Sequence, residues 1–595
     1  MPSPANVRNV LAALLLVSAS GTAQAEGPQG TWNALSPVPA KEAPAPAAAS
    51  TESTVPADAS SREQASPAAA ATPSEPALAE PAPAAEPAAP ELDPLSQQIQ
   101  TALSAGGIDP SLKAFYEARN FAPAWIEGDR FTDKADAVMA RIRKADADGL
   151  DASAFRLPGA APAAGDPAAQ ALADIEISVA AATYARQAES GRIRPSSVDP
   201  SVAFDPATPK AQAVLDDLLA ANDPAAALEA YNPPYEQFRE LRAKLAELRQ
   251  AKQDDTAPVH IPEGPTLRPG DTDHRVMLLR ARLHVDSPDL TPVYDHDLVE
   301  AVRRFQARHG LSPDGAVGPR TLHALNGRAR PADLIPQILV NMERWRWLPR
   351  ELGDTHIMVN VPEFEARIVR DGAVVHQTRV ITGKKDHQTP LFSDAMEFII
   401  VNPAWNIPYS IASKEMLPML QRDPTYLARQ GIEVLYVGGR RPVVVDSTRI
   451  DWSRVNLHQL RFRQPPGERN ALGHIKFMFP NKYAVYLHDT PSRSLFGNRV
   501  RAFSHGCVRV QDPFSLADVL LEGSRWNAES MKRLIGGNER RIDLAHKVPI
   551  HIVYFTARMD AGDRLRTFGD IYGYDAKMKQ MLGLGTVLQA SAKRS

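Results

Sequence analysis

Apolar residues change their spacing along the chain, and this change predicts folded regions of different kinds. Between Leu95 and Pro262 they recur every three or four positions, which is the spacing of amphipathic helices. The clearest helical patterns run from Ala135 to Lys144, Ala168 to Ser190, Ala211 to Ala221 and Tyr235 to Ala251. We therefore expect residues 95–262 to form an all-helical domain.

Residues 263–330 predict a second, smaller helical unit. Helical patterns run from Val276 to Leu283, Leu298 to His309 and Pro319 to Leu325. The turn Ser312-Pro313-Asp314-Gly315 separates the last two, because Pro and Gly interrupt a helical pattern. We expect a compact three-helix domain.

From about residue 331 onward the pattern changes to the alternation that is typical of strands. Asp371-Gly372 is a strong hairpin turn signal between two alternating runs. Further strand-like runs are "MEFIIVNPAWNIP", "KYAVYLHD" and "PIHIVYFTA", and helical stretches interrupt them near residues 413–431 and 513–534. Residues 331–560 are therefore predicted to form a mostly β domain with a helical insertion, followed by a C-terminal tail at 561–595.

The N-terminal 94 residues do not have the pattern of a folded domain. Residues 1–25 have the features of a secretory signal peptide: Arg8, an apolar run and the small-x-small site Ala23-Gln24-Ala25. The alternative is a membrane anchor, but the apolar run is far shorter than the ~20 residues of a spanning helix. Residues 26–94 are rich in Ala and Pro, which favours a disordered tether, either a plain spacer or a segment that spans a gap to a working surface.

Charge and cysteine content narrow the function classes. The formal net charge of −3 gives no basic field, so nothing indicates a nucleic-acid partner. The chain has a single cysteine, Cys507, in "SHGCVRV". In an exported protein a lone thiol is either a buried small residue or a reactive group.

Several residues near Cys507 suggest chemistry. His488 and His505 are both candidates to stand beside the sulfur, where an imidazole can activate a thiol for nucleophilic attack. Gly506 lets the chain turn sharply and lets backbone N–H groups approach a substrate oxyanion. Two alternatives remain open at this point: a core thiol beside an interior His488, and a zinc site of His488, His505 and Cys507.

The motif resembles that of a known enzyme family. His488, fifteen intervening residues and then Ser504-His505-Gly506-Cys507 resemble the signature of the L,D-transpeptidases, cysteine enzymes that cross-link peptidoglycan. "NPAWNIPYSIASKEMLP", "YLHDTP" and "RAFSHGCVRV" are similar to the large periplasmic members, and "AVRRFQARHGLSPDGAVGPRTLHALN" resembles a peptidoglycan-binding domain. The resemblance implies a multidomain α+β protein. Its parts would be a helical scaffold domain (95–262), a three-helix peptidoglycan-binding domain (263–330) and a mostly β catalytic domain (331–560) with a flap-like insertion at about 410–470.

The resemblance also assigns roles to residues. Cys507 would be the nucleophile and His488 the general base, oriented by a backbone carbonyl near Asp489 rather than by the Asp489 side chain. The oxyanion site and its motif would involve Ser504, His505 and Gly506. Substrate binding is expected from Arg509, which stands where shorter members have Asn, and from Trp405, Asn406 and Tyr486.

The implied reaction is an acyl transfer without metal or organic cofactor. The thiolate attacks a tetrapeptide stem, and the diaminopimelate amine of a second stem then takes the acyl group. The alternatives are water as acceptor, which makes a carboxypeptidase or endopeptidase, a lipoprotein lysine as acceptor, or a non-catalytic wall-binding protein. Implied partners are peptidoglycan stem peptides, carbapenem inhibitors and other cell-wall enzymes, with no transmembrane segment in the mature chain and a periplasmic location.

Overall fold

The computed structural model describes residues 92–104, 106–253, 259–286, 291–326, 331–560 and 562–584. The predicted signal peptide and nearly all of the Ala/Pro-rich segment lie outside the described residues. Within them, the multidomain combination of helices and sheets expected from the sequence is confirmed. None of the described helices is long and apolar enough to cross a membrane.

The N-terminal domain is helical, with one small exception. Its helices agree with the expected segments to within a few residues, and a two-stranded hairpin, β1 (Ile126–Glu127) and β2 (Arg130–Phe131), interrupts them. The helices are α1 (Pro94–Leu103), α2 (Pro110–Ala118), α3 (Asp133–Ile142), α4 (Pro167–Ser190), α5 (Pro195–Val198), α6 (Ala211–Ala220), α7 (Pro224–Glu229) and α8 (Glu236–Gln253). Asp or Thr side chains cap several of them, as Thr132 caps α3.

The second domain has the three expected helices, α9 (Arg275–Leu283), α10 (His296–Arg308) and α11 (Pro319–Asn326). Their apolar faces form one core that includes Val276, Leu298 and Leu325. Gly315 has φ +76° at the turn before α11, a conformation that favours glycine. A further helix, α12 (Pro331–Trp345), then packs against α8 of the first domain.

The third domain is built on a nine-stranded sheet in the order β13-β5-β14-β12-β11-β6-β15-β3-β4. Strand β5 also pairs with β4, so the sheet closes on itself as a barrel. Asp371 and Gly372 both have positive φ between β4 and β5, as a tight hairpin requires. The strands are β3 (Thr355–Asn360), β4 (Glu365–Arg370), β5 (Ala373–Gly383), β6 (Phe392–Val401), β11 (Ile475–Met478), β12 (Leu487–His488), β13 (Ala502–Ser504), β14 (Val508–Val510) and β15 (Arg540–Val553).

The expected insertion forms a small lobe with its own core, which we call the insertion lobe (405–464). Its sheet has the order β7-β10-β8-β9. Its core includes Met416, Leu427, Trp452 and Phe462. The elements are β7 (Trp405–Asn406), α13 (Tyr409–Ile411), a π-helical turn (Ala412–Met416), α14 (Leu417–Leu420), α15 (Tyr426–Gln430), β8 (Glu433–Tyr436), β9 (Val443–Val445) and β10 (Leu460–Gln464).

The described part of the segment expected to be a C-terminal tail, 562–584, is folded onto the barrel. Strand β17 (Arg564–Thr567) pairs with β16 (Ala557–Asp560), and α18 (Tyr574–Met581) follows. Tyr572, Tyr574 and Met578 are buried in the barrel core. Their burial explains why this segment does not behave as a tail. Two short helices, α16 (Pro513–Leu520) and α17 (Ala528–Lys532), complete the domain.

Candidate active site

One face of three neighbouring strands gathers the chemistry-bearing side chains. In the ladder of β11, β12 and β14, Lys476 lies opposite His488, which in turn lies opposite Arg509. Because alternate residues of a strand share a face, Tyr486 and Cys507 lie on this face as well. We call these five residues the thiol face.

The loop that carries Cys507 is fixed by hydrogen bonds. The Ser504 hydroxyl donates to the Cys507 carbonyl at 2.5 Å and accepts from the Gly506 N–H at 3.2 Å. Gly506 has φ +113°, and its carbonyl accepts a hydrogen bond from Thr389 at 2.9 Å. The Gly506 N–H is therefore already occupied, and it would have to leave Ser504 before it could hold an oxyanion.

The Cys507 thiol is only partly exposed, and its Sγ lies 4.0 Å from the Ala484 carbonyl oxygen. Burial raises its pKa above the ordinary value of a cysteine. Hydrogen bonds from Tyr486 and the positive charges of Lys476 and Arg509 act in the opposite direction without cancelling the effect of burial. The resting sulfur is therefore a thiol at neutral pH.

His488 is buried, with 4% of its surface exposed. Its Nδ1 lies 2.5 Å from the Asp489 carbonyl oxygen, and because that oxygen only accepts, Nδ1 carries the proton and Nε2 is left as the basic nitrogen. Burial, together with the positive charges of Arg509 and Lys476, lowers the His488 pKa to about 3, although the hydrogen bond to the Asp489 carbonyl acts in the opposite direction. Both the imidazole and the Cys507 thiol are therefore neutral at rest, and no hydrogen bond among the described residues joins them.

The Asp489 side chain has a separate, structural role. Its carboxylate accepts from the His474 backbone N–H at 2.9 Å and from Arg493 at 2.6 Å. Gly473 packs so closely that an added Cβ would lie 2.3 Å from Asp489 Oδ2. The carboxylate thus holds the chain after β12, while the backbone carbonyl contacts the imidazole, which is the arrangement that the resemblance implies.

Sequence reasoning missed Lys476. It alternates with Ile475 and Phe477, so its position suggests an ordinary solvent-facing residue of a strand. In the structure its Nζ lies 3.8 Å from the centroid of the Tyr486 ring, and burial lowers its pKa. Its position opposite His488 becomes visible only once β11 and β12 are paired.

Lys476 and Arg509 also lack acidic partners. Within the described ranges neither takes part in an ion pair, and Arg509 Nε is buried without a hydrogen-bond partner. Burial lowers the Arg509 pKa. Glu539 acts electrostatically on Lys476 without forming an ion pair with it. Two cations held beside a thiol without an ion-paired anion make a site that favours an anionic ligand.

Tyr486 and Trp405 connect the thiol to the insertion lobe. The Tyr486 side chain lies close enough to Cys507 and Trp405 for both to act on its pKa, which burial raises well above the ordinary range. Trp405 also packs against the lobe core. Asn406 is exposed on β7, opposite Arg463 of β10. Of the expected substrate-binding residues, Tyr486, Trp405 and Arg509 therefore lie at the thiol, and Asn406 lies on the lobe.

His505 contacts the insertion lobe. Its Nε2 lies 2.9 Å from Glu415 Oε1, and its ring centroid lies 4.8 Å from that of His387. In the described part of the chain, the set of possible metal ligands that lie together is His387, Glu415 and His505. The alternative zinc site of His488, His505 and Cys507 is therefore not supported by the geometry.

Comparison with protein families matches each of the three domains. Residues 354–528 match the model described as "L,D-transpeptidase catalytic domain", residues 277–325 match "Putative peptidoglycan binding domain", and residues 110–245 match "Scaffold domain". The resemblance drawn from the motifs is thus confirmed at the level of domains.

Individual relatives cover only parts of the chain. A curated "Putative L,D-transpeptidase" of Haemophilus influenzae is 33% identical over 255 residues, which are 42% of this chain and 50% of the relative. The chain therefore spans about half the length of that relative. Two solved structures are also similar. One is an L,D-transpeptidase from Xylanimonas cellulosilytica, with 16% identity over 49% of this chain and 99% of that chain and a TM-score of 0.15. The other is an L,D-transpeptidase from Mycobacterium smegmatis, with 12% identity over 34% of this chain and 58% of that chain and a TM-score of 0.16.

Proposed function

We propose that this protein is an L,D-transpeptidase that forms 3-3 cross-links in peptidoglycan through a thioester at Cys507. The observation that carries the proposal is the thiol face, which places a lone thiol on the same strand face as a neutral imidazole and two cations without ion-pair partners. This face lies inside the domain that matches the catalytic family model. The peptidoglycan-binding and scaffold domains support the same substrate.

The first step is acylation of the thiol. Cys507 Sγ attacks the carbonyl carbon between the third residue of a tetrapeptide stem and its terminal D-alanine, while His488 Nε2 accepts the thiol proton. The S–C bond forms, the C–N bond breaks and His488 passes the proton to the leaving amine. Because both groups are neutral at rest, His488 acts as a general base during attack rather than as one half of a resting ion pair.

The unpaired cations support both parts of this step. Lys476 and Arg509 attract the carboxylates of the anionic stem peptide and stabilise the thiolate as it develops. The same charges disfavour a protonated His488, so its proton is readily given to the departing D-alanine. Bidentate contact with a carboxylate would occupy the free Nε of Arg509.

The second step is aminolysis of the thioester. The side-chain amine of diaminopimelate on another stem attacks the carbonyl carbon, the C–S bond breaks, and Cys507 regains its proton through His488. The product joins two third-position residues. We assign this reaction to the periplasm, and we expect carbapenems, which carry a reactive acyl group, to acylate Cys507.

The test is mass spectrometry of the products formed from disaccharide tetrapeptide by the wild-type protein and by Cys507→Ala. We expect a dimer joined through third-position residues together with free D-alanine, and neither product with Cys507→Ala. Tripeptide without dimer would show that water is the acceptor. Unchanged substrate under conditions in which the protein binds peptidoglycan would contradict an enzymatic role.

A further inference from the structure

Beside the thiol face, a second group of side chains joins the insertion lobe to the barrel. We call His387, Glu415 and His505 the bridging trio. His505 Nε2 lies 2.9 Å from Glu415 Oε1 and 3.1 Å from Oε2, and His387 Nε2 lies 3.9 Å from Oε1. One ligand atom from each residue can be chosen so that all three lie within 4.8 Å of one another.

The trio comes from three separate parts of the fold. His387 follows β5 in the barrel, Glu415 lies in the π-helical turn of the insertion lobe, and His505 lies two residues before Cys507. A π-helical turn inside a helix is uncommon and is often found at functional sites. A ligand held by all three residues would therefore fix the lobe to the barrel next to the nucleophile.

The hydrogen bond between His505 and Glu415 alone does not account for this geometry. A hydrogen bond between His505 and Glu415 needs only those two residues. His387 lies too far from Glu415 for a hydrogen bond, yet its ring packs edge-on against His505 at 71°. The second imidazole thus converges on the same carboxylate without bonding to it.

Two imidazoles and one carboxylate form a ligand set that suits zinc. Zn²⁺ binds His and Glu at about 2.0–2.2 Å in a tetrahedron, which places ligand atoms roughly 3.3–3.5 Å apart and leaves a fourth position for water. The observed distances between the ligand atoms of the bridging trio include values shorter and longer than those expected for a zinc tetrahedron. The three side chains are 31–39% exposed, so they can move the ångström or so that is needed.

We propose that the bridging trio is a zinc site that clamps the insertion lobe to the barrel. Zinc has no part in the acyl-transfer steps above. Lys384 lies close enough to act electrostatically on His505. We therefore expect a micromolar rather than a nanomolar affinity, and tighter binding in Lys384→Gln.

The test is zinc binding in a Cys507→Ser background, which removes the thiol as a competing ligand. Titration of zinc against a chromophoric chelator should give one ion per chain. His387→Gln and Glu415→Gln should each weaken binding at least tenfold. Glu415→His should retain it, because a third imidazole replaces the carboxylate. His458→Gln is the matched control: this exposed lobe histidine stacks on Tyr409 and is not among the clustered ligand residues, so the change should leave binding unchanged.

A second readout follows the lobe itself. Zinc should slow amide hydrogen exchange across 409–420 in the parent protein and should have no such effect in His387→Gln. Melting temperatures confirm that each variant is folded. The proposal is overturned if no zinc binds, if His387→Gln and Glu415→Gln bind as the parent does, or if binding occurs in the wild type but not in Cys507→Ser. None of these readouts depends on transpeptidase activity.

Discussion

Buried charges are arranged in opposite ways in the helical domain and at the thiol face. In the helical domain, Arg141 and Tyr184 both contact the carboxylate of Asp148 at 2.7 Å. Arg346, which follows α12 and is fully buried against the helical domain, donates to the Asp148 backbone carbonyl at 2.6 Å and lies 3.7 Å from Glu343. Each buried cation there has an anion nearby.

At the thiol face, Lys476 and Arg509 are partly buried and neither forms an ion pair among the described residues, although Glu539 acts electrostatically on Lys476. Leaving a cation without a partner costs folding free energy, and a protein keeps such a cost where a ligand will supply the missing charge. The comparison indicates that the charges of the helical domain serve stability and those of the thiol face serve substrate.

The largest expected effect is a loss of transfer rate on replacement of the proposed base, His488, which an ordinary buried histidine should not show. Replacement of His488 by Gln should lower the transfer rate by about 10²–10⁴-fold, because a positioned general base is lost. His356 is the matched control, since it is also buried and its Nδ1 also lies against a carbonyl, that of Gly353 at 2.8 Å. His356→Gln should leave the rate per folded molecule unchanged. Equal losses in the two variants would remove His488 from the mechanism.

A variant in α12, which packs against the helical domain, should show the opposite pattern. Glu343 accepts a hydrogen bond from the Ile193 N–H at 2.7 Å and faces Arg346. Glu343→Ala should cost about 3–5 kcal/mol in the free energy of unfolding, because it leaves a buried cation without its partner. Urea denaturation measures this cost. Glu522→Ala, which breaks an exposed pair with Arg370, should cost less than about 1 kcal/mol.

Activity provides the other half of this test. The rate per folded molecule should remain that of the wild type in Glu343→Ala. A fall in that rate without a loss of stability would contradict the division between the two regions.

A smaller effect on the transfer rate is expected when the segment that orients His488 is disturbed. Gly473→Ala should displace the Asp489 carboxylate and shift the carbonyl that orients His488, lowering the rate by roughly tenfold to a hundredfold. Gly536→Ala is the control, because it has the same positive φ requirement at +85° but open space around its Cβ. If the two variants lose equal activity, backbone strain rather than the Asp489 contact is the cause.

The smallest expected effect concerns the pKa of His488. Lys476→Met removes a positive charge that disfavours the imidazolium, so the His488 pKa should rise from about 3. A folded pKa below the ordinary value of about 6.5 means that unfolding takes up a proton, so this histidine costs stability as the pH falls from about 6.5 toward 3. That loss should be smaller in the variant.

Titration of the His488 ring signals by NMR measures this change directly. Lys414→Met, at an exposed lysine of the insertion lobe, serves as the charge-matched control and should leave the His488 pKa unchanged. A His488 pKa that stays the same or falls in Lys476→Met would show that this lysine does not act on the base.

The sequence predicted the parts of this arrangement that depend on local pattern. The helices from Ala168 and Ala211 and the turn at Asp371-Gly372 follow from spacing and turn chemistry, and the structure places them as expected. Lys476 could not be predicted, because its role depends on the pairing of β11 with β12. The contact of His505 with Glu415 could not be predicted either, because it joins the motif loop to the insertion lobe between residues ninety positions apart in the sequence.

The most direct test of the central claim is the intact mass of the protein after brief incubation with a tetrapeptide stem. We predict a mass increase equal to the tripeptide acyl group, removed by hydroxylamine, absent in Cys507→Ser and reduced in the double variant Lys476→Met/Arg509→Met. An unchanged mass in the wild type, or an adduct that persists in Cys507→Ser, would contradict a thioester at Cys507.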